Sequence, residues 1–425
     1  MTPPRASRPP ALRYRPARRT DVETLADLGW RAYRVSSLEK RREFYTDHPR
    51  FGLRDVRVGE LDGQIVASLV LYPFTALVRG QRLPVTGVGS VAVSPEVRRR
   101  GVGETLMRAA LKEMRQRGDA LSMLYAFRGS YYRRLGYGVA EMVQQLAFSP
   151  SNLPDHEERR GVRRLMLPDR PSVEALFDRA AAQGHFALER KSQWWSQRLW
   201  GREGDWVVYE GRRRGQIEGY LYYEVDPSQG PFKLSVTLEE FVAVTPEAHR
   251  GLVGYLAALR DQVNEIHFAA PADGVWPLTL QTGQNLRPGA ELGVLTDTGN
   301  LSNGAMLRIT DVKAALERWP LPPQARGEIA LEVDDAVLPQ NARSWRVSVR
   351  DGRLRLAAES AGPTRRNRLP RLRAEADLLA SMLAGTISPL RAAEGGLVSS
   401  TDGATEVFER WFRARPVYLY PLNAF

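Results

Sequence analysis

A short stretch after residue 90 combines residue types that bind an anion. The apolar run Val91-Ala92-Val93 ends at Ser94-Pro95, and the loop Arg98-Arg99-Arg100-Gly101-Val102-Gly103 follows it. A helical pattern then runs from Glu104 to Arg115. Glycines let the backbone approach a phosphate closely, and the free N–H groups and positive dipole of a helix N-terminus favour negative charge. The spacing therefore predicts a strand, an arginine/glycine loop and a helix that together hold a phosphate group.

The same pattern returns later in the chain. Val242-Ala243-Val244-Thr245-Pro246-Glu247 repeats the sequence from Val91 to Glu96. Two further landmarks recur in the same order: Gly63-Gln64-Ile65 as Gly215-Gln216-Ile217, and Asp21–Leu25 as Ser172–Leu176. Landmarks that recur in one order predict tandem copies of one fold, with the break near residues 149–161.

The second copy is predicted to be degenerate. In register with the first loop, Leu252 corresponds to Gly101 and His249 to Arg98, and the arginine cluster is missing. A leucine side chain at such a turn would fill the space that a phosphate needs. The second copy is therefore expected to have lost its cofactor site and to serve side-chain packing.

From about Leu301, the pattern of predicted elements differs from that of the two copies. Thr310-Asp311 is expected to begin a short helix, and Asp351-Gly352 predicts a hairpin between two alternating strands. The predicted strands are Gly327–Val333, Ser344–Val349, Leu354–Ala358 and Val417–Tyr420, and amphipathic helices surround residues 378–383 and 407–412. The whole chain is therefore expected to be α+β, with α/β-like layers in the two copies and domains at residues 1–150, 151–300 and 301–425.

Composition excludes several classes of site. The chain has 425 residues, of which 43% are hydrophobic and 26% charged, as is ordinary for a soluble globular protein. The absence of cysteine rules out disulfides, thiolate metal sites and a cysteine nucleophile, and the five histidines show no metal-ligand spacing, so no metal is expected. No apolar run is long enough to span a bilayer and no secretory leader is seen, so we expect no membrane association and a cytoplasmic protein.

A second motif makes the pattern specific. Tyr132-Arg133-Arg134-Leu135-Gly136-Tyr137-Gly138 follows the predicted strand Leu121–Ala126. With the arginine/glycine loop, the degenerate copy and the third α+β region, this order resembles the Eis (enhanced intracellular survival) family. The resemblance implies two fused GNAT acetyltransferase domains, a C-terminal domain shaped like a sterol carrier protein, acetyl-CoA as co-substrate and a homohexamer. It covers nearly the whole chain.

The resemblance also implies roles for individual residues. Members of the family bind acetyl-CoA through a strand, a loop and a strand end. The matching residues here are Val91, Ala92, Val93, Arg98, Arg99, Arg100, Gly101, Val102, Gly103, Glu104, Phe127 and Arg128. Tyr132 matches the proton donor to the leaving CoA thiolate. The main-chain carboxylate of Phe425 matches the base that helps to deprotonate the amine.

These roles fit the chemistry of acetyl transfer to a primary amine. The amine must be neutral to attack, and a carboxylate held in a closed site can take its proton. A tyrosine hydroxyl, with an ordinary pKa of about 10, suits protonation of a thiolate. An aminoglycoside, a polyamine or a lysine would all serve as acceptor. Asn423-Ala424 replaces the acidic residue that the family carries beside the terminal Phe, which argues against a multiply charged aminoglycoside.

Two other functions remain open at this stage. A hydrophobic cavity in the C-terminal domain would make the chain a lipid-binding protein. The net charge of +12 also invites RNA association, which would weaken steeply with salt. The basic segments are Arg5–Arg19, Arg98–Arg100, Arg212–Arg214 and Arg365–Arg373. Because the arginines are spread along the chain, solvated faces explain the charge better than nucleic-acid binding does.

Overall fold

The computed structural model describes residues 11–34, 37–211, 215–228, 230, 233–280, 298–350, 352–359, 369–401 and 403–425. The basic run Arg212–Arg214, Asp351 of the predicted hairpin, and parts of the other two long basic segments lie outside the described residues. Within the described ranges, no helix has the length and apolar character needed to cross a membrane.

The first sheet is built around a long antiparallel hairpin, β3–β4. Its main strands are β1 (Arg13–Pro16), β2 (Val56–Leu61), β3 (Gln64–Val78), β4 (Gln81–Val93) and β5 (Leu121–Tyr125), side by side in this order. All neighbours are antiparallel except β4 and β5, which run parallel and are connected through a helix. The helices of this part are α1 (Val22–Tyr33), α2 (Leu38–Thr46), α3 (Val102–Gln116) and α4 (Gly129–Arg133).

The second sheet repeats this plan. Its strands, in spatial order, are β14 (Asn300–Asn303), β7 (Met142–Phe148), β13 (Val263–Pro271), β12 (Leu234–Ala243), β11 (Ile217–Asp226), β10 (Asp205–Glu210) and β8 (Val162–Arg164). Again one central pair, β12 and β13, is parallel. The helices are α5 (Arg170–Gln183), α6 (Ser192–Trp194), α7 (Pro246–Ala257) and α8 (Trp276–Thr279). The predicted tandem repeat therefore exists as two copies of one strand order.

A repeated ion-pair network marks the same relationship between the copies. In each copy, an arginine of the first strand contacts an aspartate that begins the first helix and a glutamate of the second strand. The sets are Arg15 with Asp21 and Glu60, and Arg163 with Asp169 and Glu210. Each aspartate also accepts a hydrogen bond from the backbone N–H three residues before it. This polar signature ties the first strand to the first helix in both copies.

Several strands cross between the sequence ranges expected for the domains. β7, within residues 1–150, pairs with β13 of the second sheet. β9 (His185–Leu188), within residues 151–300, pairs with β3 of the first sheet. β15 (Ala305–Ile309), within residues 301–425, inserts between β5 and β6 (Gly138–Val139) of the first sheet. The two sheets are therefore interlocked by exchanged strands.

The third sheet has the order β18 (Arg353–Ala358), β17 (Arg343–Arg350), β16 (Gly327–Asp334), β19 (Arg371–Glu375) and β20 (Ser399–Ser400). Its helices are α9 (Val312–Glu317), α10 (Ala376–Leu383), α11 (Pro389–Glu394) and α12 (Ala404–Phe412). As predicted, Asp311 caps α9, its side chain accepting a hydrogen bond from Ala314. The apolar side chains of this region form one core with part of the first sheet. A buried ion pair between Arg308 and Asp335 reinforces the connection.

The predicted reason for the degenerate second copy is wrong. Leu252 does not lie at a turn, because α7 begins at Pro246, directly after β12, and Leu252 is buried inside this helix. The ring centroids of Phe241, His249 and Trp276 lie 5.2–6.1 Å apart beside the ends of β12 and β13. The second copy therefore lacks the loop as a whole, and aromatic side chains pack at the corresponding place.

The predicted strand Val417–Tyr420 is also wrong. This segment makes a single parallel bridge, between Val417 and Glu141. Tyr420 has a positive φ of 59° and Pro421 begins a 3₁₀ turn, so the extended conformation ends there. The segment is nevertheless buried, with Leu419 at 0% and Leu422 at 4% exposure. Its apolar side chains serve burial against the two sheets, without joining either of them.

Candidate active site

A cleft opens where β4 and β5 separate. The two parallel strands pair only at Thr86–Ser122 and Gly87–Met123, although β4 continues to Val93 and β5 to Tyr125. Past Gly87, the side of β4 that faces β5 has no strand partner among the described residues. Exposed main-chain donors and acceptors of this kind bind an extended ligand as an additional strand would.

A β-bulge lies in β4 at this cleft. Ser90 and Val91 together oppose Leu69, and Ser90 has a positive φ of 48°. Bulges and backbone strain of this kind cluster beside functional sites. The Tyr33 hydroxyl donates a hydrogen bond to the carbonyl of Val91 at 2.9 Å. The helix α1 is thereby attached to the bulged strand at the edge of the cleft.

The arginine/glycine loop connects the end of β4 to α3. Arg99 and Gly101 have positive φ values of 62° and 79°, and Gly101 is the N-cap of the helix. Since Gly101 has no side chain to cap the first turn, its N–H groups remain available to a ligand. The helix is 15 residues long, and Glu104 in its first turn pairs with Arg108.

The three arginines of this loop are exposed. Arg98 donates to the carbonyl of Val93 at 3.1 Å and so closes the loop on the strand end. Arg99 and Arg100 have no hydrogen-bond or ion-pair partner in the part of the chain that the structure describes. Gly103 is close to the second motif, because a Cβ there would lie 3.3 Å from the Tyr131 hydroxyl. The loop thus combines free cations with a helix N-terminus, as an anion site requires.

Tyr132 lies in α4, directly after the end of β5. Its side chain is 3% exposed, and its ring contacts Phe127, Tyr131 and Tyr137 at centroid distances of 5.6, 4.9 and 6.0 Å. Burial raises the pKa of Tyr132, and the neighbouring tyrosines, Tyr33 among them, raise it further. Its hydroxyl has no hydrogen-bond partner among the described residues. The group therefore remains a protonated donor well above neutral pH.

Phe127 and Arg128 follow β5 at the mouth of the cleft. Both are exposed, and Phe127 is 78% exposed, a large fraction for an aromatic side chain. Arg128 is the N-cap of α4 and leaves its first turn without a side-chain cap. The candidate contacts from both strand ends and from the loop therefore surround one opening.

The chain's last residue enters the same cleft. The Phe425 ring contacts Tyr72, Phe74 and Tyr125 of β3 and β5 at 5.5, 4.7 and 5.4 Å. Its main-chain carboxyl carbon lies 3.6 Å from the position of a Cβ on Gly89. A Cβ on Gly87 would come within 2.9 Å of the Phe425 ring. The two strand glycines therefore leave the space that this residue occupies.

Polar contacts fix the segment before Phe425. Arg50 donates to the carbonyls of Asn423 and Ala424 at 2.8 and 3.1 Å. The Asn423 side chain is buried and accepts a hydrogen bond from Arg190 at 2.8 Å. Trp194 donates to the Leu422 carbonyl at 3.1 Å. Arg50, Arg190 and Trp194, which lie in loops and in α6, thus hold the segment in one position.

Glu141 attaches the terminal segment at a further point. Its carboxylate accepts hydrogen bonds from the backbone of Leu419 at 2.7 Å and of Ala305 at 3.1 Å. Burial raises the pKa of Glu141, and both backbone hydrogen bonds oppose this rise. The charge of Glu141 adds to the effect of burial in raising the pKa of Tyr125, whose ring contacts Phe425. Residues from distant parts of the sequence therefore converge at Phe425.

An arginine–glutamate pair at the centre of this network is fully buried. Arg190 and Glu240 are each 0% exposed at the side chain, and Tyr220 also donates to Glu240. Glu240→Gln would leave the guanidinium of Arg190 without a counter-charge. We expect the free energy of unfolding to fall by about 3–5 kcal/mol. Urea denaturation measures this loss.

The matched control for this substitution is Glu394→Gln. Glu394 pairs with Arg391 at the surface, where the two side chains are 63% and 79% exposed. Solvent screens such a pair, so this substitution should leave the unfolding midpoint nearly unchanged. Equal midpoints for the two variants would contradict a structural role of the buried pair.

Several residues at the cleft were not predicted from the sequence. Tyr33, Arg50, Tyr72, Phe74 and Tyr125 come from four separate elements or loops, and no local motif joins them. One available signal was Gly87-Val88-Gly89, because glycines inside a strand mark a close approach of other groups. Among the described residues, no group of three or more His, Asp or Glu side chains could hold a metal ion.

Comparison with known families assigns three regions of the chain. Residues 13–140 and 187–309 match two acetyltransferase (GNAT) domain models, and residues 312–420 match a sterol carrier protein domain. These matches, with the strand orders and the cleft described above, define a GNAT-type N-acetyltransferase with an α+β fold. More particularly, the chain belongs to the Eis family of N-acetyltransferases, as expected from the sequence.

Individual relatives agree with this assignment. N-acetyltransferase Eis of Mycobacterium tuberculosis is 30% identical over 288 residues, which are 63% of this chain and 66% of the relative. An uncharacterised N-acetyltransferase of Streptomyces coelicolor is 27% identical over 314 residues, which are 69% of this chain and 72% of the relative.

Two solved structures share the fold along nearly the whole chain. A GCN5-related N-acetyltransferase from Anabaena variabilis has a TM-score of 0.81 at 20% identity, covering 97% of this chain and 100% of the other. Eis1 from Mycobacterium abscessus has a TM-score of 0.75 at 22% identity, covering 98% and 100%.

Proposed function

We propose that this N-acetyltransferase moves an acetyl group from acetyl-CoA to a primary amine in the cleft between β4 and β5. The Tyr132 hydroxyl is the general acid, and the main-chain carboxylate of Phe425 is the base. The observation that carries the proposal is the entry of Phe425 from the third region into the cleft between β4 and β5. Tyr132 lies in α4, which follows the end of β5 at this cleft.

The donor would lie along β4. Its pyrophosphate would accept hydrogen bonds from the first-turn N–H groups of α3, between Gly101 and Glu104, with Arg98, Arg99 and Arg100 adding charge. The extended arm would pair with the main chain of Val91, Ala92 and Val93. Phe127 and Arg128 border the opposite side.

The reaction balances with these two residues. The neutral amine nitrogen attacks the thioester carbonyl, and a C–N bond forms as the C–S bond breaks. The amine proton passes to the Phe425 carboxylate, directly or through water. The departing thiolate takes the proton of Tyr132, whose high pKa keeps that proton available. The products are the N-acetylated amine and free CoA.

Gly101→Leu tests the cofactor loop. A side chain at φ 79° strains the backbone and stands among the N–H groups of the first turn. We expect the affinity for acetyl-CoA to fall at least tenfold, which is about 1.4 kcal/mol, as measured by calorimetry. Affinity equal to that of the wild type would contradict the assignment of this loop.

Gly118→Leu is the matched control for the loop. Gly118 follows the other end of α3 with a similar φ of 81°, and a Cβ there would meet no atom within 4 Å. Both variants should lose similar stability from backbone strain. Only Gly101→Leu should lose affinity for acetyl-CoA.

The homohexamer stays a prediction of the family resemblance. Sedimentation of the purified protein would test it.

A further inference from the structure

Three basic side chains in the region around the terminal segment lack an acidic partner. They are Arg50, Lys191 and Arg198. No carboxylate lies within ion-pair distance of any of them in the described ranges. Arg50 is bound only by neutral groups: it donates to two carbonyls of the terminal segment and stacks on Trp194 at 3.2 Å. A cation held in this way keeps an uncompensated charge.

Arg50 and Lys191 line a pocket that lies next to Phe425. The pocket lies between the first and second copies, and its lining includes Arg50, Phe74, Glu189, Lys191 and Trp194. The Phe74 ring separates it from Phe425, at a centroid distance of 4.7 Å. Glu189, the one acidic residue of this lining, already pairs with Arg82 at 2.7 Å.

Arg198, which does not line the pocket, interacts electrostatically with Arg50, which does. Burial, with the charges of Arg190 and Arg198, lowers the pKa of Arg50 to about 9. Burial, with the charges of Arg198 and Arg50, also lowers the pKa of His48 to about 3. The parts of these shifts that come from neighbouring arginines show that the cations repel one another here. An anion placed between them would relieve this repulsion.

We infer that Arg50, Lys191 and Arg198 form a subsite for an anionic group on the acceptor. This inference rests on the proposed function and narrows it: the substrate class is a primary amine that carries a carboxylate or a phosphate at its other end. Because one aromatic side chain separates the pocket from Phe425, several bonds must separate the amine from the anion. Polycationic amines would meet like charge and bind poorly.

Four amines with the same six-carbon chain test the subsite on the intact protein. They are 6-aminohexanoate, 6-aminohexyl phosphate, 6-aminohexanol and 1,6-diaminohexane, each assayed with acetyl-CoA by release of thiol. We expect kcat/KM for the better anionic amine to exceed that for the neutral alcohol by about tenfold, the scale of one charge-assisted hydrogen bond. The diamine should be the poorest acceptor. The better of the two anionic amines identifies the anion.

The variant Lys191→Gln/Arg198→Gln should remove most of this preference by raising KM for the anionic amine alone. Both side chains are exposed, so the fold should tolerate the change. Arg50 is left intact because it holds the terminal segment. The matched control is Lys112→Gln, which removes a charge from an exposed position of α3 and should leave the preference intact.

Two outcomes would overturn the subsite: a preference for the diamine, or an unchanged preference in the double variant. If none of the four amines is acetylated, the proposed function fails instead. Calorimetry then decides the subsite separately, by comparing binding of 6-aminohexanoate and 1,6-diaminohexane. Tighter binding of the anionic amine that is lost in the double variant would support the subsite, and equal binding would overturn it.

Discussion

Replacing Tyr132 by Phe is expected to lower turnover by roughly two to four orders of magnitude, the usual contribution of a general acid. The substitution removes the hydroxyl and keeps the ring, whose contacts with Phe127, Tyr131 and Tyr137 hold it in place. Affinity for acetyl-CoA should therefore survive. Single-turnover kinetics, in which chemistry limits the rate, measure the effect directly.

Tyr131→Phe is the control for this experiment. Tyr131 belongs to the same helix and the same aromatic group, and burial also raises its pKa, to about 12. Loss of its hydroxyl should change the rate far less. Equal rates for Tyr132→Phe and the wild type would assign Tyr132 to side-chain packing. Because burial raises the pKa of Tyr132, its titration should not limit the wild-type rate at moderately alkaline pH.

Local sequence patterns predicted the strand and helix on either side of the loop, and the strand that precedes the aromatic motif. The order of strand, loop and helix around Gly101 follows from residue types within one short segment, so the structure contains β4, the loop and α3 as expected. The tandem repeat was also predicted from the sequence, because its landmarks are short local patterns. The separation of β4 from β5, by contrast, depends on which residues pair across the sheet, and no pattern within one strand reports this.

Strand exchange was not predictable for a related reason. The segment Ala305–Ile309 is recognisable as a buried strand, but its partners lie far away in sequence. The arginine inside this apolar run, Arg308, pairs with Asp335 in the interior. The sequence also gave no reason to connect Arg50 with residues 423 and 424. Long-range contacts of this kind decide the shape and charge of the cleft.

Adding a few residues after Phe425 is expected to reduce turnover by roughly two to four orders of magnitude if its carboxylate is the base. The extension would move the charge and crowd the space between Gly87, Gly89 and the Phe425 ring. Adding the same residues before Met1 is the control and should leave the rate unchanged. Full activity of the C-terminally extended protein would contradict the role of Phe425 and leave the third region open to a lipid-binding role.

Amidation of the Phe425 carboxylate removes its negative charge and leaves its shape nearly unchanged. An amide has nearly the same size, so the ring contacts with Tyr72, Phe74 and Tyr125 and the hydrogen bonds of Arg50 to the preceding carbonyls should persist. The melting temperature should therefore stay the same while turnover falls. A fall in both would mean that the carboxylate stabilises the terminal segment. A base acts on the proton of the amine, so only a loss of rate at constant stability supports that role.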